Sequence, residues 1–327
     1  MNHTTAPLEQ EIRLAATDTI FTPQLHLASL EISGADARAF LHNQFTNDVK
    51  SLQTAQAQLS AWCTAKGRVV ANFILYPLAS DEAGDTFRLL LSPELLPNFI
   101  KRLQMYVLRS RVKLTRLSGA FGHLGLSGAN STDALTAIGL PAPKTPLSVA
   151  TQGETSIIRL PDGRFILTAP EESLYAFQQQ LSAQTRIQPT SQTAWAWLDI
   201  QAALPWITAA TTEAFVPQMM DFEKMSGVSF TKGCYPGQEI VARSQYLGQV
   251  KRHLYRVASE HPLTAGEELH SPASSGQAAG KVVTAAAAID PTGAYAALAV
   301  VLDAAAADLR QGSVDGAIVR VTPVYQS

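Results

Sequence analysis

The chain has 327 residues, 46% of them hydrophobic and 16% charged, with a formal net charge of −2. That is enough apolar material for two or three domains, and the balance of charge gives no general attraction to nucleic acid. Two cysteines exclude a disulfide scaffold, no apolar run is long enough to span a bilayer, and the first residues lack the basic and apolar parts of a signal peptide. A cytoplasmic protein is expected.

Residues 1–20 read as a flexible arm. Residues 21–121 read as a first α+β domain, with strands predicted at 25–32, 58–63, 69–78 and 86–91. A helix follows, with Ser92 as its cap, Pro93 at its first position and Leu96, Phe99, Ile100, Leu103, Tyr106 and Val107 at helical spacing. A strand over 111–117 completes the domain. A second α+β domain is expected over 122–250, with interleaving between the two left open. It contains a hairpin, 156–160 and 164–168, turning at Pro161-Asp162-Gly163, and a helix over 171–183. Short strands at 253–258, 280–285, 294–301 and 317–321 then predict a small β-barrel over 251–327.

Chemistry concentrates in Lys232-Gly233-Cys234-Tyr235-Pro236-Gly237-Gln238-Glu239. Gly233 and Gly237 permit close approach, and Pro236 suits the first turn of a helix running on to Arg243. A thiol near a helix start with Lys232 alongside is expected to be reactive, whereas a buried cysteine in a glycine-rich turn would be inert. Cys63 ends an apolar strand and reads as structural. Two cysteines without histidines at ligand spacing cannot close a metal site within one chain, so no resident metal is expected. Trp195 and Trp197 share a face if their segment is a strand. Each is either a core residue or a platform for a flat ligand.

The cysteine segment resembles the signature of the YgfZ-type folate-binding proteins, a branch of the glycine-cleavage T-protein (aminomethyltransferase) superfamily. Three more blocks are similar in order: residues 34–49, from Gly34-Ala35-Asp36 to Asp48-Val49; Cys63-Thr64-Ala65-Lys66-Gly67-Arg68; and Phe215-Val216-Pro217-Gln218. The resemblance runs from about Leu25 to the end of the chain. It implies three domains around a central channel, the first two α+β and the third a β-barrel, with tetrahydrofolate or a related reduced folate as cofactor.

The resemblance also implies roles for single residues. Trp195 matches a tryptophan expected to line the folate site. Gln201 stands where many relatives hold the pterin with a glutamate, and a neutral amide offers it no matching charge. Ala71 and Asn72 replace the acidic pair of T-proteins, and an amide cannot act as a general base. Ordinary aminomethyl transfer is therefore not expected, although Asn72 remains a folate-binding candidate. Lys66, Arg243 and Tyr235 are candidates for the rest of the folate. The expected function is binding of tetrahydrofolate in support of iron–sulfur cluster assembly or repair in client enzymes, including enzymes that modify tRNA. Cys234 would be the reactive group with Lys232 beside it, and partners would be transient cluster-carrying or assembly proteins, without direct nucleic-acid or membrane binding. One alternative is a folate-dependent one-carbon-transfer enzyme, aminomethyltransferase or demethylase-like, with Asp48 or Glu239 as a substitute carboxylate. The other is a thiol hydrolase, for which none of the seven histidines is marked as the base.

Overall fold

Ile12 and Ala15 lie three apart in a run of good helix formers, and residues Leu8–Thr17 form helix α1 where a flexible arm was expected. Burying Ile12 and Ala15 against a later helix supplies the stabilisation that a ten-residue helix lacks alone. The computed structural model describes every residue except 1–6, 24, 118, 247–249, 275–276, 291 and 326–327. Strand β1 (Thr19–Pro23) follows directly.

The first sheet comprises β2 (Ala28–Gly34), β3 (Gln58–Cys63), β4 (Val69–Pro77), β5 (Asp85–Leu91) and β6 (Lys113–Arg116), in the order β3-β4-β5-β2-β6. All neighbours are antiparallel. Helices α2 (Ala37–Gln44) and α3 (Leu96–Val107) accompany it. Every residue of β4 is buried, as expected of a strand covered on both faces. The expected cap at Ser92 is not used: α3 begins three residues past Pro93, and the buried Ser92 hydroxyl has no hydrogen-bond partner among the described residues.

The second sheet contains β7 (Phe121–Ser127), β8 (Val149–Gln152), β9 (Thr155–Arg159), β10 (Phe165–Pro170) and β11 (Ile187–Pro189), with β1 inserted between β11 and β7. Residues 19–23 thus pair parallel with β11 and antiparallel with β7, so the α+β units interleave and the boundary at residue 21 cuts through a strand of the second sheet. Helices α4 (Ser131–Ala137) and α5 (Glu171–Ser182) flank this sheet, and α6 (Gln192–Gln201) leads out of it. The predicted hairpin forms as β9 and β10, with Arg159 opposite Phe165.

After α6 the chain returns to the first unit. Glu213 N donates to Val69 O, Val69 N to Phe215 O, and Ser229 N to Thr46 O. The cysteine motif and α7 (Gln238–Tyr246) therefore pack on the first sheet's side and not within the second unit, where residues 122–250 had been grouped. The remainder forms a closed six-stranded barrel: β12 (Arg252–Ser259), β13 (Glu268–His270), β14 (Gly280–Ile289), β15 (Tyr295–Leu302), β16 (Leu309–Gln311) and β17 (Ala317–Pro323), with β17 paired back to β12. Closure leaves no free strand edge. One continuous core joins the first sheet, α6 and the barrel's Val283, Leu298 and Val300. Among the described residues no helix is long and apolar enough to cross a membrane.

Candidate functional site

Helix α6 is started by Ser191, whose Oγ accepts from Thr193 N, while Glu11 of α1 accepts from Ser191 N at 2.9 Å. Gln192, Trp195, Ala196 and Asp199 follow at positions i, i+3, i+4 and i+7, one face of a helix. That face lines a cavity of about 320 Å³, together with Leu25, Leu27 and Ser92 of the first unit, Trp206, and Val283 and Thr284 of the barrel. A Cβ at position 125 would lie 2.4 Å from the Trp195 ring, so Gly125 on β7 lets the indole lie against the strand.

Arg164 also packs on the ring. Its guanidinium carbon sits 4.4 Å from the Trp195 centroid, its Nη2 lies 2.8 Å from Asp199 Oδ1, and its Nε donates to Asp162. Asp199 Oδ2 accepts from Trp206 Nε1 at 3.0 Å. Burial raises the Asp199 carboxyl to about 6, against the opposing pull of Arg164. The result is an indole-lined cavity carrying a buried carboxyl held by Arg164 and Trp206. Such a cavity accepts a flat heterocycle with a donor edge.

The cysteine motif forms a second locus. Gly237 has φ of 81°, and a Cβ there would come within 2.4 Å of Thr64 O and 2.8 Å of Gly67, so the motif closes on the turn between β3 and β4. Lys66 is exposed in that turn. Helix α7 begins at Gln238, so Cys234 lies four residues ahead of it in an exposed turn, beyond the first turn in which a helix dipole acts. Lys232 is turned inward and is 7% exposed. Its Nζ donates to Phe45 O at 2.6 Å and to His42 O, the carbonyls that end α2, and lies 4.8 Å from the Tyr235 ring centroid. Burial draws the Lys232 ammonium down to about 8 and raises the Tyr235 phenol. Lys232 therefore caps a helix, and its charge is directed at carbonyls.

The residues singled out from the sequence divide between these places. Only Trp195 lines the cavity. Trp197, about 200° further round α6 because the segment is a helix and not a strand, is buried core. Gln201 is exposed at the end of α6, where its carbonyl accepts from Arg256. Asn72 is buried and bonded at both ends: Nδ2 donates to Pro205 O at 2.7 Å and Oδ1 accepts from Ile207 N at 2.8 Å, which fixes the chain that carries Trp206. Lys66, Lys232, Cys234 and Tyr235 gather at the cysteine turn, with Arg243 exposed on α7. Of the two substitute carboxylates, Asp48 lies beside His42 and Glu239 is exposed, and neither lines the cavity. Asp199, Arg164 and Trp206 were not singled out. A helical reading of residues 192–201 would have put Asp199 one turn from Trp195. Among the described residues no group of metal-ligating side chains is assembled.

Two interleaved α+β units with a closed barrel, arranged around an indole-lined cavity, define a protein of the aminomethyltransferase fold. The glycine cleavage system aminomethyltransferase T from Bartonella henselae superposes with a TM-score of 0.75, covering 98% of this chain and 90% of that one at 17% sequence identity. The family model of the GCVT N-terminal domain matches residues 2–145. Among curated proteins, the tRNA-modifying protein YgfZ of Yersinia pseudotuberculosis serotype IB (strain PB1/+) is 33% identical over 74% of this chain and 72% of its own length. That of Photorhabdus laumondii subsp. laumondii is 33% identical over 72% and 70%. The chain belongs to the YgfZ family.

Proposed function

We propose that the protein binds tetrahydrofolate or a related reduced folate and supports the assembly or repair of iron–sulfur clusters in client enzymes, among them enzymes that modify tRNA. The observation that carries the folate reading is the cavity walled by Trp195 and Trp206 with Asp199 between them. A pterin is flat and presents N–H donors along one edge, which suits an indole platform beside a carboxyl. Trp195 and Asp199 hold the ring in this reading. Asn72 acts indirectly by fixing the Trp206 segment. Lys66, Tyr235 and Arg243 stand with Cys234 and serve the end of the ligand or the client that reaches the cysteine turn. The cluster role is supported by membership of the family and by the exposed thiol.

Titration with tetrahydrofolate tests the reading. Binding should quench tryptophan fluorescence and raise the melting temperature, by linkage. Trp195→Ala should remove most of both effects, and an equal response in wild type and variant would take Trp195 out of the site. In cells lacking the native protein, Cys234→Ser should fail to restore cluster-dependent enzymes. A one-carbon-transfer reading draws support from one feature, the Asp199 carboxyl near 6 inside the cavity. Formation of methylene-tetrahydrofolate from an aminomethyl donor would favour it, and its absence would leave folate in a binding role.

A further inference from the structure

Residues 95–132 contain six lysines and arginines and no aspartate or glutamate, in a chain whose 25 basic residues face 27 carboxylates overall. Five of the six lie on the last turns of α3 and in the turn through Arg109, Ser110 and Arg111 that leads to β6. Three apolar side chains are exposed at the same end of the helix: Leu108 at 87%, Met105 at 64% and Tyr106 at 46%. Leu108 has φ of 48°, in the left-handed region that strains a side chain and that helix ends ordinarily give to glycine. It is strained and solvated at once, so neither the core nor the helix end explains a leucine there. Among the described residues Lys101, Arg109 and Lys113 have no ion-pair partner, whereas Arg102 pairs with Glu213 at 2.7 Å and Arg111 with Asp36 at 3.5 Å. Asp36, Tyr106, Leu108, Arg109 and Ser110 line an open recess. None of these residues lines the Trp195 cavity or belongs to the cysteine motif.

We propose that the C-terminal end of α3 docks a partner protein that presents carboxylates around an apolar pocket, with Leu108 entering the pocket and Lys101, Arg109 and Lys113 pairing with the carboxylates. The partner is one of the client or assembly proteins of the proposed function, and its identity rests on that reading. Charge selects an acidic surface, because a stretch of cations without a carboxylate of its own repels a basic one. Met, Tyr and Arg are side chains that protein interfaces favour, and an exposed aliphatic knob is what anchors such an interface in a pocket. A phosphate surface, of RNA or of lipid, would instead meet the Asp36 carboxylate in the recess, which hydrogen bonds from Arg111, its backbone N–H first, hold below its ordinary value and so ionised. RNA would further need an open ring to stack on, and the Tyr106 ring is packed edge-to-face with Trp62 at 5.8 Å. A second copy meeting through the same face would set these cations against themselves.

Variants are compared in cells lacking the native protein, scored by cluster-dependent tRNA modification: Leu108→Gly, the charge reversal Lys101→Glu with Arg109→Glu and Lys113→Glu, and Leu108→Met as the control that keeps an apolar knob. Leu108→Gly relieves the left-handed backbone, so its melting temperature should not fall below that of wild type. Leu108→Gly and the charge reversal should each cut the restored modification about tenfold or more, as loss of an interface anchor does to affinity. Tetrahydrofolate quenching and Cys234 labelling should stay at the wild-type level in both, and Leu108→Met should restore fully. Full restoration by Leu108→Gly or by the charge reversal would overturn the inference, and so would a lower melting temperature of Leu108→Gly, which would make the leucine structural. A photoreactive benzophenone side chain in place of Met105 tests docking apart from the cluster reading. Light should join it to an iron–sulfur or assembly protein at a peptide containing aspartate or glutamate, and the charge reversal should abolish the adduct. An adduct with lipid, RNA or a second copy, or no adduct at all, would overturn the docking surface. Failure of the wild type to restore modification, together with a charge-sensitive adduct at an acidic peptide of another protein, would refute the proposed function and keep the docking surface.

Discussion

Burial separates the two thiols more sharply than their neighbours in sequence do. Cys63 is 2% exposed at the end of β3, and burial pushes its thiol up to about 12, while Cys234 lies in an exposed turn. At pH 8 only about one Cys63 in ten thousand would be ionised, and that one would be out of a reagent's reach. Iodoacetamide at pH 8 should therefore label Cys234 alone in the folded protein, with Cys63 labelled only as denaturant unfolds it. Mass spectrometry of the two peptides checks this, and joint labelling in the absence of denaturant would contradict the buried placement of Cys63.

At the scale of elements, the junction between α2 and the motif depends on one buried ammonium. The carbonyls of His42 and Phe45 both accept from Lys232 Nζ, and Lys232→Met would keep most of the stem's volume while leaving them without that donor. The loss should cost about 1–3 kcal/mol in urea unfolding, the range for an unsatisfied buried acceptor. The pH dependence has a definite sign. Lys232 holds its proton less tightly in the folded state, near 8, than in the unfolded state. Between about 8 and the ordinary lysine value the unfolded chain binds more protons, so the folded state gains stability as pH rises through that window. The gap between wild type and Lys232→Met should widen over the same window, and a gap that narrows would contradict the burial of the ammonium. Trp195 and Lys232 share a lesson at this scale. Both were singled out from the sequence, but whether 192–201 is a helix and which way a lysine turns depend on what packs there. Thr193-Ala194-Trp195-Ala196-Trp197 alternates like a strand, yet it forms a helix because Ser191 caps it and α1 covers it.

At the scale of the molecule, the two sheets meet at a buried histidine. His123 on β7 approaches Ser29 Oγ of β2 at 3.3 Å and Thr168 Oγ1 of β10 at 3.0 Å, and burial together with Arg88 lowers it to about 3. The unfolded chain takes up a proton near 6.5 that the folded protein refuses, so this site's stability is present above that pH and is lost as pH falls toward 3. Asp199 acts in the opposite sense, since its raised carboxyl favours the folded state at the acid end. Comparison of wild type with His123→Gln isolates the histidine: the variant's melting temperature should fall less steeply between pH 6.5 and 4. Parallel slopes would mean that His123 is not the acid-sensitive contact between the sheets.

Local spacing by itself determined the elements whose partners are near in sequence. β3, the β9–β10 hairpin, α5 and the barrel strands β12, β14, β15 and β17 lie close to where alternation, turn residues and helical periodicity place them, whereas the three-residue β13 and β16 were not among the predicted strands. The cysteine signature likewise identified the family, because a run of eight specific residues carries more information than composition does. Tertiary structure decided what depends on distant groups. It placed β1 in the second sheet, turned residues 8–17 into a packed helix, directed Lys232 toward the carbonyls of α2, and set Asp199 and Arg164 about Trp195. The physical reason is the same in each case. A backbone preference is set by a residue and its near neighbours, whereas burial, the direction of a long charged side chain and the protonation of a carboxyl are set by whatever surface the fold brings against them.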